Sequence, residues 1–126
     1  TRPSAYAKKG TLSSFVLGHE PKKFVVVYPF TKTREWYLLP QPQRQKMMDQ
    51  HISVSEKYPQ VTLNTTYSFG IGDQDFMLAF ECDNLRDFQN LIMDLRQTKV
   101  SAYVAVDTPM LTCVKKDIIP LITSLG

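Results

Sequence analysis

Five side chains with usable chemistry fall in one stretch, Phe24 to Tyr58, FVVVYPFTKTREWYLLPQPQRQKMMDQHISVSEKY. Tyr28 stands near the end of an apolar run and Lys32 follows four residues on. The aromatic pair Trp36-Tyr37 comes next, and the polar segment beyond it carries His51, one of two histidines in the chain. A phenol can give up hydrogen, an ammonium can hold an anion, and a neutral imidazole can take a proton or a metal. For these groups to act together, a strand end, the loop after it and the following helix must converge on one pocket.

The elements that would position them can be read from periodicity. Lys23–Phe30 reads as a strand with Phe24, Val26 and Tyr28 on one face and Val25 and Val27 on the other. Both faces are apolar, so this strand expects cover on both sides, the second from another domain or subunit. Pro40-Gln41-Pro42 opens a helix to about Tyr58, with Pro42 in the first turn, where its missing N–H costs nothing. At helical spacing Arg44, Met47, His51, Ser55 and Tyr58 share one face, flanked by Met48 and Val54, so His51 turns inward. Val61–Phe69 alternates as a strand, Gly70-Ile71-Gly72-Asp73 supplies a turn, and Phe76, Leu78 and Phe80 form the inward face of the next strand. Gly70-x-Gly72 lacks a third glycine and joins two strands, which makes it a hairpin turn and not a phosphate loop. Asp73 and Asp75 flank that turn and are read as setting its geometry.

Asp83-Asn84 offers an N-cap to a second helix striped by Leu85, Phe88, Leu91, Ile92 and Leu95. Ser101–Val114 reads as the last strand and Ile118–Leu125 as a short closing helix interrupted by Pro120. The order β-α-β-β-α-β predicts an α+β, ferredoxin-like fold: a four-stranded antiparallel sheet with two helices on one face. Residues 1–22 show neither period and read as a tail or interdomain linker, which leaves 23–126 as the domain. His19, in that tail, reads as solvent-exposed.

Composition narrows the function classes. The chain has 126 residues, enough for one core without disulfides, with 43% hydrophobic and 21% charged residues. A net charge of +3 suits an anionic small ligand and falls short of a nucleic-acid-binding surface. Cys82 and Cys113 are far apart and read as reduced thiols, which with the lack of a signal peptide implies a cytoplasmic protein. No apolar run is long enough to span a membrane.

Hydrolytic chemistry finds no nucleophile in a strained-turn context. A zinc site would need three or four ligands, and one inward histidine cannot supply them. A lone histidine on such a helix is commonly a hydrogen-bonded structural residue. One imidazole is nevertheless enough for an axial bond to haem iron, because the porphyrin provides four ligands itself.

The segments YPFTK, EWYLLP, RQKMMDQH, TTYSFGIGDQDFMLAFECDNLRDFQNLIMDLR and VSAYVAVDTP, in this order and spacing, resemble the chlorite dismutase and coproheme decarboxylase family. The likeness covers about residues 23–114, which in that family is the haem-binding C-terminal domain. It implies two ferredoxin-like domains per subunit, with residues 1–20 as the linker and a first domain upstream, and assembly into homo-oligomers, commonly pentamers, with dimers among short members. Carried over by position, His51 would be the proximal iron ligand, Tyr28 the radical-forming tyrosine, Lys32 and Ser101 propionate contacts, and Trp36 a tryptophan near the cofactor. Arg34 and Arg44 are further propionate candidates, or a solvated face.

Two positions depart from the family's chlorite-splitting members. Leu63 stands where they carry a distal arginine and decarboxylases a glutamine, with Thr62 or Asn64 if the register slips. Val100 stands where they carry the glutamate that supports the ligand histidine. Without a guanidinium to hold the oxyanion, chlorite dismutation is not expected. The resemblance then implies peroxide-dependent decarboxylation of iron-coproporphyrin III to haem b, with porphyrin and peroxide as the small-molecule partners. A haem carrier or sensor, and a haem-free oligomerising module, remain as alternatives.

Overall fold

A computed structural model describes residues 18–126, so the linker reading of 1–22 falls largely outside the described residues. Strand β1 (Phe24–Lys32) leads into a one-turn helix α1 (Arg34–Leu38) and the long helix α2 (Gln41–Ser55). A hairpin of β2 (Thr62–Tyr67) and β3 (Phe76–Cys82) follows, then α3 (Leu85–Leu95). The chain closes through a 3-10 turn (Lys99–Tyr103), β4 (Val104–Val106), β5 (Leu111–Val114) and α4 (Ile118–Ser124). The sheet order is β2-β3-β1-β4 with every pair antiparallel, and β5 also pairs with β1. This is the ferredoxin-like order expected from the sequence.

The expected last strand, Ser101–Val114, is a correction. Its first residues wind into the 3-10 turn, and the remainder is split into β4 against Thr31–Lys32 and β5 against Phe24–Val27. Between them lies Asp107–Met110, with a cis Thr108-Pro109 bond. Proline has no N–H to give a ladder, so continuous pairing stops there. The short helix α1 has no counterpart in the sequence pattern either. Thr33 caps it by accepting a bond from the Trp36 N–H at 3.3 Å, and this turns Trp36 inward to 1% exposure. Helix α2 ends at Ser55, a turn earlier than its apolar pattern predicts.

The core lies between sheet and helices. Val26, Tyr28, Phe80 and Cys82 from the sheet meet Phe88, Leu91 and Leu95 of α3, whose N-cap Asn84 accepts from the Arg86 N–H at 2.9 Å. Each large buried side chain contributes about 1.5–3 kcal/mol by leaving water. A second cluster joins Trp36, Met47 and Val100, tying α1 and α2 to the 3-10 turn. On the sheet face away from the helices, Asn64 Nδ2 donates to Glu81 Oε2 at 3.0 Å, and both residues are buried. Gly70 adopts φ of 72°, which the turn between β2 and β3 requires. Both cysteines are free, Cys82 buried and Cys113 exposed. No helix among the described residues is long and apolar enough to cross a membrane.

Candidate functional site

A cavity of about 600 Å³ opens between the sheet and α2, within the range of small-ligand sites. Its sheet wall is apolar and aromatic, built by Phe30, Leu63, Phe76, Leu78 and Phe80 with the hydroxyls of Tyr28, Thr65 and Tyr67. The opposite side is formed by Met48 and His51 of α2, one helical turn apart, and by Trp36 and Val100. Tyr28, Lys32, Trp36, His51 and Ser101 all line this one space, so the five candidates chosen from sequence are brought together. They converge because β1 delivers Tyr28 and Lys32 at its end, α1 folds Trp36 back beneath Lys32, and α2 returns across the sheet.

His51 is half-buried, and its Nδ1 is enclosed with no hydrogen-bond partner among the described residues. Burial, aided by the nearby Lys32 charge, pushes its pKa down to about 4. The imidazole is therefore neutral at physiological pH and keeps a lone pair for a metal.

Lys32 Nζ lies 3.6 Å from the Trp36 ring centroid and 3.6 Å from Met48 Sδ. Burial first, and the Arg44 charge second, bring its pKa down to about 8. Among the described residues no carboxylate pairs with this ammonium. The Nε of Arg44 is likewise buried without a partner among them. Two cations are thus placed where an anion would relieve both.

Tyr28 is buried at 4% exposure, with its ring stacked on Phe80 at 6.0 Å. Burial, followed by the charge of Asp107, raises its pKa well above the usual phenol value, while Arg96 opposes that rise. The Ser101 hydroxyl lies 2.8 Å from the Arg96 carbonyl and 2.7 Å from that of Thr98. It is donating to backbone, so it would have to turn away to donate to a ligand carboxylate. Leu63 does face the cavity, and β2 places no guanidinium there.

Sequence reasoning missed two lining residues, Arg96 and Asp107, which form an ion pair at 3.4 Å. Neither carried a local signal. Arg96 reads as a helix end and Asp107 as part of a strand, and only the broken β4–β5 edge makes them neighbours. Asp75 also does more than shape its turn. It accepts a bond from the Tyr37 hydroxyl at 2.7 Å and so ties the hairpin to α1.

The residues present suit an iron porphyrin. Among the described residues no three His, Cys, Asp or Glu side chains group as a metal site, so a metal here would need a ligand set of its own. An apolar cavity, one neutral imidazole and an ammonium with no carboxylate partner among the described residues provide the protein side of such a set.

The chlorite dismutase family model matches residues 1–116. The coproheme decarboxylase of Mycolicibacterium smegmatis is 36% identical over 111 residues, covering 88% of this chain and 48% of that protein. A mutant chlorite dismutase from Candidatus Nitrospira defluvii superposes with a TM-score of 0.79 at 28% identity, over 84% of this chain and 46% of the other. A haem-binding protein from Thermus thermophilus shares the fold with a TM-score of 0.78 at 24% identity, over 86% of this chain and 46% of the other. This chain thus spans about half the length of the relatives it matches. The family match over nearly the whole chain, the decarboxylase relative and the shared fold lead to one conclusion: the chain belongs to the chlorite dismutase family.

Proposed function

We propose that this chain binds an iron porphyrin through His51 and carries out the peroxide-dependent oxidative decarboxylation of iron-coproporphyrin III to haem b. The observation that carries the reading is Lys32, a half-buried cation on the cavity edge without a carboxylate partner among the described residues. A porphyrin rich in carboxylates is the ligand that such a site would favour. The named activity of the Mycolicibacterium smegmatis relative supports the same choice.

Each decarboxylation converts R–CH2–CH2–COO⁻, hydrogen peroxide and one proton into R–CH=CH2, carbon dioxide and two waters. When bound, the porphyrin iron supplies the redox chemistry with peroxide. His51 holds the iron from the α2 side. Lys32, with Arg44 behind it, neutralises and orients a propionate. Tyr28 exchanges a hydrogen atom with the reacting propionate, and the aromatic sheet wall excludes water from that exchange. Leu63 provides no cation for an oxyanion, which argues against chlorite splitting.

A cytoplasmic homo-oligomer, pentamer or dimer, is part of this proposal. So is a second ferredoxin-like domain, in the same or a separate polypeptide, to complete the half-length match.

One observation favours a second reading, a haem carrier or sensor. The sheet wall opposite His51 is almost entirely apolar and offers little to steer peroxide cleavage. Absorbance titration of the purified chain with haem b and with coproheme, beside His51→Ala, tests the site. A saturable Soret shift that is lost in the variant is expected. Adding peroxide to the coproheme complex and weighing the porphyrin by mass spectrometry then separates the readings: loss of carboxyl groups supports decarboxylation, and binding without loss leaves a carrier.

A further inference from the structure

A phenol that loses an electron becomes a strong acid, so Tyr28 needs somewhere to send its proton when it is oxidised. Its surroundings offer little choice. The ring packs on Phe80 within the apolar sheet wall, and its hydroxyl donates to no described residue. Among the described residues that line the cavity, Asp107 is the one carboxylate.

The fold puts Asp107 there by register. Strand β4 ends with Val106 opposite Thr31, and β5 begins with Leu111 opposite Val27. The connecting segment Asp107–Met110 therefore runs beside the part of β1 that holds Tyr28, Pro29 and Phe30. From the end of α3, Arg96 Nη2 reaches Asp107 Oδ2 at 3.4 Å and fixes the carboxylate at the cavity edge. The charge of Asp107 acts on the Tyr28 phenol and favours its protonated form, while Arg96 opposes it. The remaining charged or titratable groups of the lining, Lys32, His51, Tyr37 and Tyr67, come from other parts of the wall, and none of them is a carboxylate.

We infer that Asp107 is the proton acceptor for Tyr28, with Arg96 as the clamp that positions it. This rests on the decarboxylation reading above. As Tyr28 passes one electron to the oxidant derived from peroxide, its O–H bond breaks and the proton moves to the Asp107 carboxylate, giving a neutral phenoxyl and a carboxylic acid. The phenoxyl then takes a hydrogen atom from the propionate chain and is a phenol again. The propionate radical gives a second electron to the same oxidant, its C–C bond to the carboxylate breaks, and a vinyl group and carbon dioxide result. The proton held on Asp107 and one from solvent complete the two waters formed from peroxide.

The test uses Asp107→Asn, which keeps the shape and removes the base, with Asp107→Glu as the conservative rescue. First, a difluorotyrosine is placed at position 28 of the ligand-free chain, and its ionisation is followed by fluorine NMR. Removing the carboxylate should make this phenol roughly tenfold more acidic. Second, the coproheme-loaded chain is mixed with peroxide and vinyl formation is timed. The Asn variant should slow by about 100-fold or more while its coproheme affinity holds, and the Glu variant should recover part of the rate. An unchanged titration midpoint in the Asn variant would overturn the proposal, whatever the turnover. So would turnover at the wild-type rate, or a coproheme affinity that falls in step with turnover, which would make Asp107 a support for Arg96 alone. A wild-type chain that forms no vinyl groups refutes the decarboxylation reading itself, and this is seen without any Asp107 variant.

Discussion

The Lys32 ammonium lies 3.6 Å from the centroid of the Trp36 ring, and that ring is sealed at 1% exposure. A cation over an indole gains about 0.5–2 kcal/mol, less than the loss of hydration in a buried site. The residual cost shows in the ammonium, whose pKa falls from 10.5 to about 8. The ligand-free site thus holds a charge at the expense of the fold.

Lys32→Met should therefore stabilise the ligand-free chain at neutral pH, by no more than about 3 kcal/mol. The direction with pH follows from the shift. The unfolded lysine titrates at 10.5 and the folded one at about 8. The penalty is full below pH 8 and is relieved as pH rises from there towards 10.5, so wild-type stability climbs across that window and the Met variant's does not. The same substitution should weaken coproheme binding about tenfold or more. Urea unfolding at several pH values, with a Soret titration, checks both. A Met variant that is less stable at neutral pH would show that Lys32 has an anionic partner in the free chain.

Arg44 contributes to the Lys32 shift through its charge. Arg44→Met should raise the Lys32 pKa above about 8. It should also weaken coproheme binding by less than Lys32→Met does, because Arg44 stands behind the cavity lining. NMR of the labelled lysine side chains follows the titration directly. No movement of the Lys32 resonance would remove Arg44 from the anion site.

Tyr28→Phe should leave stability within about 1 kcal/mol of wild type, because the hydroxyl donates to no described residue and the stack on Phe80 is kept. Coproheme binding should persist while carboxyl loss stops. If vinyl formation survives the change, the radical assignment to Tyr28 is wrong.

Ser101→Ala separates two roles for one hydroxyl. Its bonds to the Arg96 and Thr98 carbonyls hold the 3-10 turn at the cavity edge. Their loss should cost about 1 kcal/mol in thermal or urea unfolding. With the hydroxyl committed to backbone, coproheme affinity should change little. A large drop in affinity with unchanged stability would instead show that the hydroxyl turns to a propionate on binding.

The sequence alone determined the order of the main elements, since alternation in Val61–Phe69 and the stripe from Leu85 to Leu95 are local patterns that the chain cannot satisfy in another form. It also placed Tyr28, Lys32, Trp36, His51 and Ser101 as candidates, because each sits in a recognisable segment. What it could not reach depends on separated residues. The one-turn helix α1 exists because Trp36 is buried against Met47 and Val100, not because REWYL is a strong helix by itself. The break between β4 and β5 required Pro109 to fall opposite a strand whose partner was unknown. Arg96 and Asp107, eleven residues apart, become an ion pair beside Tyr28 only when α3 and the sheet edge close on one cavity. The pKa values of Lys32 and His51 were equally out of reach, because desolvation is set by everything packed around a group and by none of its sequence neighbours in particular.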